Sequence, residues 1–275
     1  MVEAAWRAGI RFFDTAPLYG HGLAEQRLGA VLRTKPRDEF VLATKVGRLL
    51  RNDAPPEPGQ AFKGTPPVNP VFDFSYDGVM RSAEESLARL GLDRIDVLHI
   101  HDPDEHHDEA LSGAYRALDR LRSEGTIKAV GAGMNQSEML VRFAREADFD
   151  CFLLAGRYSL LDRSGATELL PLCVERHIGV IAGGVFNSGI LASPKPGATY
   201  NYQPAPPALL QRTMQLKGIC ERHSVDLKAA ALQFPLRHPA VVSVLTGPRS
   251  VAEIDENIRL FQTPIPDDLW PQLGR

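Results

Sequence analysis

No apolar run in these 275 residues approaches the roughly 20 that would span a bilayer. The opening stretch, MVEAAWRAGIRFF, has acidic Glu3 where a signal peptide would be basic, and no small-residue cleavage site follows an apolar core. The sequence therefore reads as cytoplasmic, with no membrane partner. Cysteine is scarce. Cys151, Cys173 and Cys220 are odd in number, far apart and without a C-x-x-C pair, which argues against both a disulfide framework and a zinc knuckle. An excess of one charge is also lacking: the net charge is -3 with Lys and Arg spread along the chain, so there is no electrostatic footprint for nucleic acid. Missing too is a G-x-G-x-x-G fingerprint after a first strand, which removes the main argument for a nucleotide-binding open sheet.

What is present suits a large globular domain, since 44% hydrophobic and 24% charged residues leave room for a substantial core. Seven short apolar runs, most of them rich in Val and Ile and ending in or just before glycine or a polar residue, read as strands: RFFDTA (11–16), FVLATKVG (40–47), IDVLHIH (95–101), IKAVGAGM (127–134), CFLLAG (151–156), GVIAGGV (179–185) and VVSVLTG (241–247). Between them lie segments of helical period, such as 79–91, where Val79, Ala83, Leu87 and Leu90 share one face, and 109–125; both end in glycine. Strand and helix alternating along the whole chain predict a parallel sheet with covering helices. Polar residues recur at the strand ends (Asp14, Lys45, His101, Asn135, Arg157 and Asn187), where a barrel would gather them on one face. The reading is therefore an α/β protein of the (β/α)8 TIM-barrel class, a single domain over 1–275. Eight strands are needed and seven are legible, while VEAAWRAG reads as a helix leading into RFFDTA. The first strand is thus expected to be missing from this chain, and either the barrel closes some other way or the true start lies upstream of Met1. Two irregular segments, 48–75 and 193–207, are expected to be loops over the strand ends.

The segment RFFDTAPLYGHG (11–22) has the composition of a site. Phe12 and Asp14 share a strand face, and Tyr19 follows five residues after the carboxylate. Alone, an Asp followed by Thr and Pro also fits a turn or an N-cap. Ala43 and Lys45 share a face, as do His99 and His101, so a carboxylate, an ammonium and an imidazole are expected on neighbouring strand ends with a phenol close by. A phenol has an ordinary pKa of roughly 10. The ammonium is expected to lower it, making Tyr19 a proton-transfer group for a carbinol or carbonyl.

With AGIRFFDTAPLYGHGLAEQRLGAVL, LATKVG, DVLHIHDPD, GAGMN, GRYSLLDR, GGVFNSGIL and LTGPRSVAEIDENI, the chain resembles the aldo-keto reductases over essentially its full length. The resemblance implies an eight-stranded α/β barrel using NADP or NAD, and a catalytic tetrad of Asp14, Tyr19, Lys45 and His101. It implies Asn135 on the nicotinamide carboxamide, Phe186 stacked on the nicotinamide, and Gly247, Arg249, Ser250, Glu253 and Asn257 around the adenosine end. HIHDPD, GAGMN, AGRYSLLD and FNSGIL resemble a branch that oxidises cyclic hemiacetals of aldoses or of pyridoxal to lactones. Ala155, where many members carry glutamine, fits that branch. The implied partner is a small sugar or sugar-like substrate. Two other readings stay open. One is a metal-dependent barrel hydrolase using His99 and His101 at ligand spacing, although His177, His223 and His238 fall in expected helices. The other is a scaffold that binds cofactor without turnover.

Overall fold

The strand runs fold where composition and turn signals place them. The computed structural model describes residues 1–56 and 62–274. It contains β1 (Phe12–Asp14), β2 (Val41–Val46), β3 (Val97–His101), β4 (Ala129–Met134), β5 (Cys151–Ala155), β6 (Gly179–Gly183) and β7 (Val241–Val244). Each of the seven sequence runs supplies one. In hydrogen-bonded order the sheet follows the chain from β1 to β7. The registered pairs, β1 with β2, β2 with β3, β3 with β4 and β6 with β7, are all parallel. A doubly wound sheet reverses strand order at a switch point, and here there is no reversal. Parallel neighbours in chain order, joined by helices, are the topology of the α/β barrel class.

The chain divides into two compact units. One comprises Val2–Met134 and Arg145–Phe152, and the other Met1, Asn135–Ala144 and Leu153–Arg275. In the first, the buried strand residues Leu42, Ala43, Val46, Leu98, Ile100, Val130 and Ala132 form a core with Leu32, Val79, Leu90 and Leu118 of the helices. Helix Leu23–Leu32 meets helix Tyr76–Leu90 where Gly29 lies against the Leu90 backbone; a Cβ on Gly29 would sit 2.0 Å from the Leu90 carbonyl oxygen. The latter helix starts three residues earlier than its apolar stripe suggests, because Ser75 caps it by accepting from the Gly78 amide. The expected helix over 109–125 is a helical turn at His107–Glu109, a π-helical stretch Ala110–Tyr115 and an α-helix Arg116–Ser123. In the second unit Leu154, Val180, Ala182, Leu216, Ala230 and Ile254 are buried, covered by helices Leu169–Glu175, Pro207–Arg222, Leu227–Gln233 and Val251–Gln262.

The structure corrects three expectations. Within 48–75, Arg48–Arg51 pairs with Asn69–Phe72 as an antiparallel ribbon; in a two-stranded ribbon Pro70 can turn its missing N–H outward without losing a ladder bond. Residues 57–61 of that segment lie outside the described residues. Within 193–207, Thr199–Tyr200 pairs with Gln203–Pro204 around Asn201 and Tyr202, whose φ values of 47° and 62° turn the chain back on itself. His177, His223 and His238 each lie just past a helical segment rather than inside one.

Candidate active site

β1 and β2 place Asp14 opposite Ala43, and the ladder continues one step as the Thr15 amide donates to the Ala43 carbonyl at 3.0 Å. Beyond it the chain turns, the Tyr19 amide donating to Ala16 O at 3.1 Å. Gly20, His21 and Gly22 then run at positive φ (60°, 51° and 90°) before helix Leu23–Leu32 begins. Two of these left-handed positions are glycines, which is what the YGHG motif provides. His21 is buried and its Nδ1 lies 2.6 Å from the Val68 carbonyl, fixing the turn against the segment after the ribbon's first strand.

Lys45 brings an ammonium into this setting. Its Nζ donates to Asp14 Oδ2 at 2.6 Å and to Thr15 O at 2.8 Å, and stands 4.7 Å from the Tyr19 ring centroid. The Lys45 and Asp14 side chains are almost fully buried. Burial works against the ammonium, yet Asp14 and Tyr19 together outweigh it and hold the Lys45 pKa above its ordinary value. Burial raises Asp14, against the pull of Lys45. Burial also dominates at Tyr19 and pushes the phenol above 10.0, with the Lys45 charge opposing and Asp14 reinforcing the rise. That corrects the expected direction: Lys45 does favour the phenolate, but desolvation of a buried anion is the larger effect.

From β3, His101 meets Tyr19 edge-on, ring centroids 5.8 Å apart at 90°. Burial, then the charges of Lys45 and Arg48, keep its pKa well below the usual histidine value, so the ring is neutral. His101 Nε2 lies 3.6 Å from Asp102 Oδ2, while Nδ1 is buried without a hydrogen-bond partner among the described residues. A carboxylate near Nε2 favours the proton there, and a bare Nδ1 lone pair costs less than a stranded N–H. The neutral ring is thus a donor through Nε2. His99, two residues back on the same face and in register with Lys45 and Gly131, is fully buried with neither nitrogen hydrogen-bonded among the described residues. Gly131 makes room for it, because a Cβ there would lie 2.2 Å from His99 Nδ1. Among the described residues no group of three His, Cys, Asp or Glu is arranged to hold a metal ion.

The sequence matches the model of the aldo/keto reductase family over residues 1–274. The chain belongs to the aldo/keto reductase family. It is 47% identical to the D-threo-aldose 1-dehydrogenase of a Pseudomonas species over 100% of this chain and 86% of that protein. It is 46% identical to the pyridoxal 4-dehydrogenase of Microbacterium luteolum over 99% of this chain and 86% of that protein. Among solved structures, an aldo-keto reductase from Bacillus halodurans in its holo form superposes with a TM-score of 0.78 at 25% identity, over 99% of this chain and 84% of that one. The chain is thus an aldo/keto reductase of the α/β barrel class, an oxidoreductase acting on CH–OH groups, as its sequence implied.

The residues that the family resemblance assigns to the dinucleotide all lie in the second unit. Asn135 follows β4 and is exposed; Phe186 is half-buried, with Lys228 Nζ 5.6 Å from its ring centroid. Gly247 is exposed, with nothing within 4 Å of where a Cβ would be, and the Arg249 side chain is 89% exposed. Ser250 and Glu253 are engaged in capping: Ser250 Oγ accepts from the Glu253 amide at 3.1 Å and Glu253 Oε2 from the Arg249 amide at 2.7 Å. Asn257 Oδ1 is buried and without a hydrogen-bond partner among the described residues. An open glycine and a projecting guanidinium beside a helix N-terminus fit a phosphate of such a cofactor, and the Asn257 amide oxygen, without a partner among the described residues, fits an N–H donor such as the adenine amine.

Three polar residues have roles that their place in the sequence did not give. Asn187, counted there among strand-end polar groups, is a structural tie: it accepts from Ser159 Oγ at 2.5 Å and donates to Gly156 O at 3.2 Å. Arg157 is likewise tied, donating to Asn201 Oδ1 at 3.1 Å and pairing with Asp162 at 3.3 Å, whose carboxylate also accepts from Tyr200 at 2.9 Å. Asp102, directly after His101, stands beside the catalytic candidates, and HDPD in the sequence was the signal for it.

Proposed function

We propose that this chain is an NAD(P)-dependent dehydrogenase that oxidises an aldose or sugar-like cyclic hemiacetal to the lactone, with Asp14, Tyr19, Lys45 and His101 as the catalytic residues. The observation that carries the reading is the Lys45 ammonium, held 2.6 Å from Asp14 and 4.7 Å from the Tyr19 ring, with neutral His101 edge-on to that ring. A nicotinamide cofactor held by the residues assigned below would supply the hydride acceptor for this oxidation.

The residues of the chain handle the proton. His101 donates through Nε2 to the reacting oxygen and sets its position. As the C–H bond breaks and the C=O bond forms, the hydroxyl proton passes to Tyr19 as phenolate. Lys45 stabilises that phenolate, and Asp14 keeps Lys45 in place. In the reverse direction Tyr19 is the donor. Burial holds Tyr19 as the neutral phenol at neutral pH, so the resting chain is set for proton donation and oxidation draws on the phenolate.

Asn135 is assigned to the carboxamide, Phe186 to the nicotinamide face, and Gly247, Arg249, Ser250, Glu253 and Asn257 to the adenosine end. Arg249 has a planar fork suited to a 2′-phosphate, which favours NADP. The substrate class is supported by the two relatives at 47% and 46% identity, one named for an aldose and one for pyridoxal. No helix among the described residues is long and apolar enough to cross a membrane, and a cytoplasmic location is part of the reading.

The test is cofactor reduction by the purified chain with NADP or NAD and L-fucose, D-arabinose or pyridoxal. Tyr19→Phe should abolish turnover while cofactor affinity, read by fluorescence, stays within about threefold, since phenol loss removes proton transfer only. Cofactor binding without turnover on any of these substrates would favour a scaffold role instead.

A further inference from the structure

Asp102 occupies a costly backbone position. Its φ of 43° lies in the left-handed region, which L residues rarely adopt, and its amide is held to Gly133 O at 3.0 Å, continuing the β3–β4 ladder. Other aspartates in turns of this chain use their carboxylates structurally. Asp73 Oδ1 accepts from the Ser75 amide and hydroxyl, and Asp162 Oδ1 does the same with Ser164. Among the described residues Asp102 makes no such bond, and its carboxylate has ion-pair contacts with Arg48 Nη2 and with His101 Nε2, both at 3.6 Å and so beyond hydrogen-bond length. The side chain is 20% exposed, so it can be reached. A carboxylate aimed by the main chain, next to the imidazole that faces the reacting oxygen and still holding its acceptor sites, is placed to meet a ligand.

We infer that Asp102 is a specificity-determining residue that accepts a hydrogen bond from the substrate hydroxyl on the carbon adjacent to the reacting one. The inference rests on the dehydrogenase reading above. In a cyclic hemiacetal the neighbouring hydroxyl lies beside the anomeric oxygen. A donor at His101 Nε2 and an acceptor at Asp102 Oδ2 therefore match a pair of adjacent oxygens, one accepting and one donating. The site thereby selects polyhydroxylated substrates over carbonyl compounds of similar size, because a polar group left unpaired on binding costs more than a lost apolar contact.

The experiment compares kcat/KM for D-arabinose and for its 2-deoxy analogue in the wild-type chain, Asp102→Asn and Asp102→Gly. Asn tolerates the left-handed region and Gly adopts it freely, so both variants keep the backbone; thermal unfolding checks this. The wild type should prefer D-arabinose by about 10- to 100-fold, the worth of one hydrogen bond to a charged group. In Asp102→Gly that ratio should fall to within about threefold of unity, with Asp102→Asn between. A ratio unchanged in both variants overturns the inference. Equal loss on both sugars also overturns it, since Asp102 would then act only by placing His101. A wild-type chain that turns over neither the aldoses nor pyridoxal would overturn the dehydrogenase reading itself and this inference with it, whereas turnover of pyridoxal but of no aldose would overturn this inference alone.

Discussion

Tyr19 and Lys45 divide the work of proton transfer in a way that pH exposes. The phenol is pushed above 10.0 by burial, so the base form needed for oxidation is scarce at neutral pH and grows tenfold with each pH unit below that pKa. kcat for oxidation should therefore rise steadily from pH 7 to 10, and reduction, which uses the protonated phenol, should stay level over that range. Stopped-flow rates in both directions check this; an oxidation rate independent of pH would assign the base to another group. His99 gives a second handle. Burial, then the Lys45 charge, depress its pKa from 6.5 to about 3. The unfolded chain therefore binds a proton at His99 that the native chain refuses below pH 6.5, and stability contributed by this site falls as pH drops from 6.5 towards 3, at about 1.4 kcal/mol per pH unit. His99→Leu should flatten that part of the acid-unfolding curve, by about 2 kcal/mol between pH 6.5 and 5. Urea midpoints of the two proteins across this range make the comparison, and parallel curves would mean that His99 is hydrogen-bonded in solution.

At the scale of elements, helix Leu23–Leu32 is tied to its surroundings through Glu25. The Glu25 carboxylate is fully buried, accepts from Thr44 Oγ1 of β2 at 2.8 Å and pairs with Arg89 of helix Tyr76–Leu90 at 2.5 Å. Removing one member of such a pair strands the other, so Arg89→Met should cost about 3 kcal/mol in chemical denaturation, and the double change with Glu25→Gln distinctly less than the sum of the singles. Additive costs would show that the two side chains do not depend on each other. Helix Val251–Gln262 offers a milder case. Ser250 caps it, and Ser250→Ala should cost about 1 kcal/mol. If Ser250 also touches the cofactor, affinity should drop by more than that stability loss alone explains, which titration of both proteins decides. The ribbon Arg48–Arg51 with Asn69–Phe72 gains rigidity from side chains: Phe72 stacks on Phe74 at 5.7 Å, and the Arg48 guanidinium lies over Phe72 at 4.4 Å.

For the whole molecule, the sequence carried the strand count, the chain-order sheet and the four catalytic candidates, because short β-branched runs ending in Gly or a polar residue mark strand ends directly. Lys45 and His101 could be placed on one face by period alone, and Asp14 met Lys45 as expected. The Tyr19 pKa was misjudged since burial is a tertiary property, invisible in a stretch that reads as an exposed turn. The ribbon in 48–75 was hidden by its prolines, and the aim of Asp102, though HDPD marks the residue, by a positive φ of 43° that a motif does not announce. Cofactor choice also belongs to this scale: Arg249→Ala should reduce NADP affinity about tenfold or more with little change for NAD, and equal losses would place Arg249 away from the 2′-phosphate. The most direct test of the account is to follow cofactor reduction and lactone formation together, with L-fucose or D-arabinose, in the wild-type chain and in Tyr19→Phe. One lactone per reduced cofactor is expected from the wild type, and a loss of about a thousandfold in Tyr19→Phe with fold and cofactor binding intact. Turnover in Tyr19→Phe within about threefold of the wild type would contradict it.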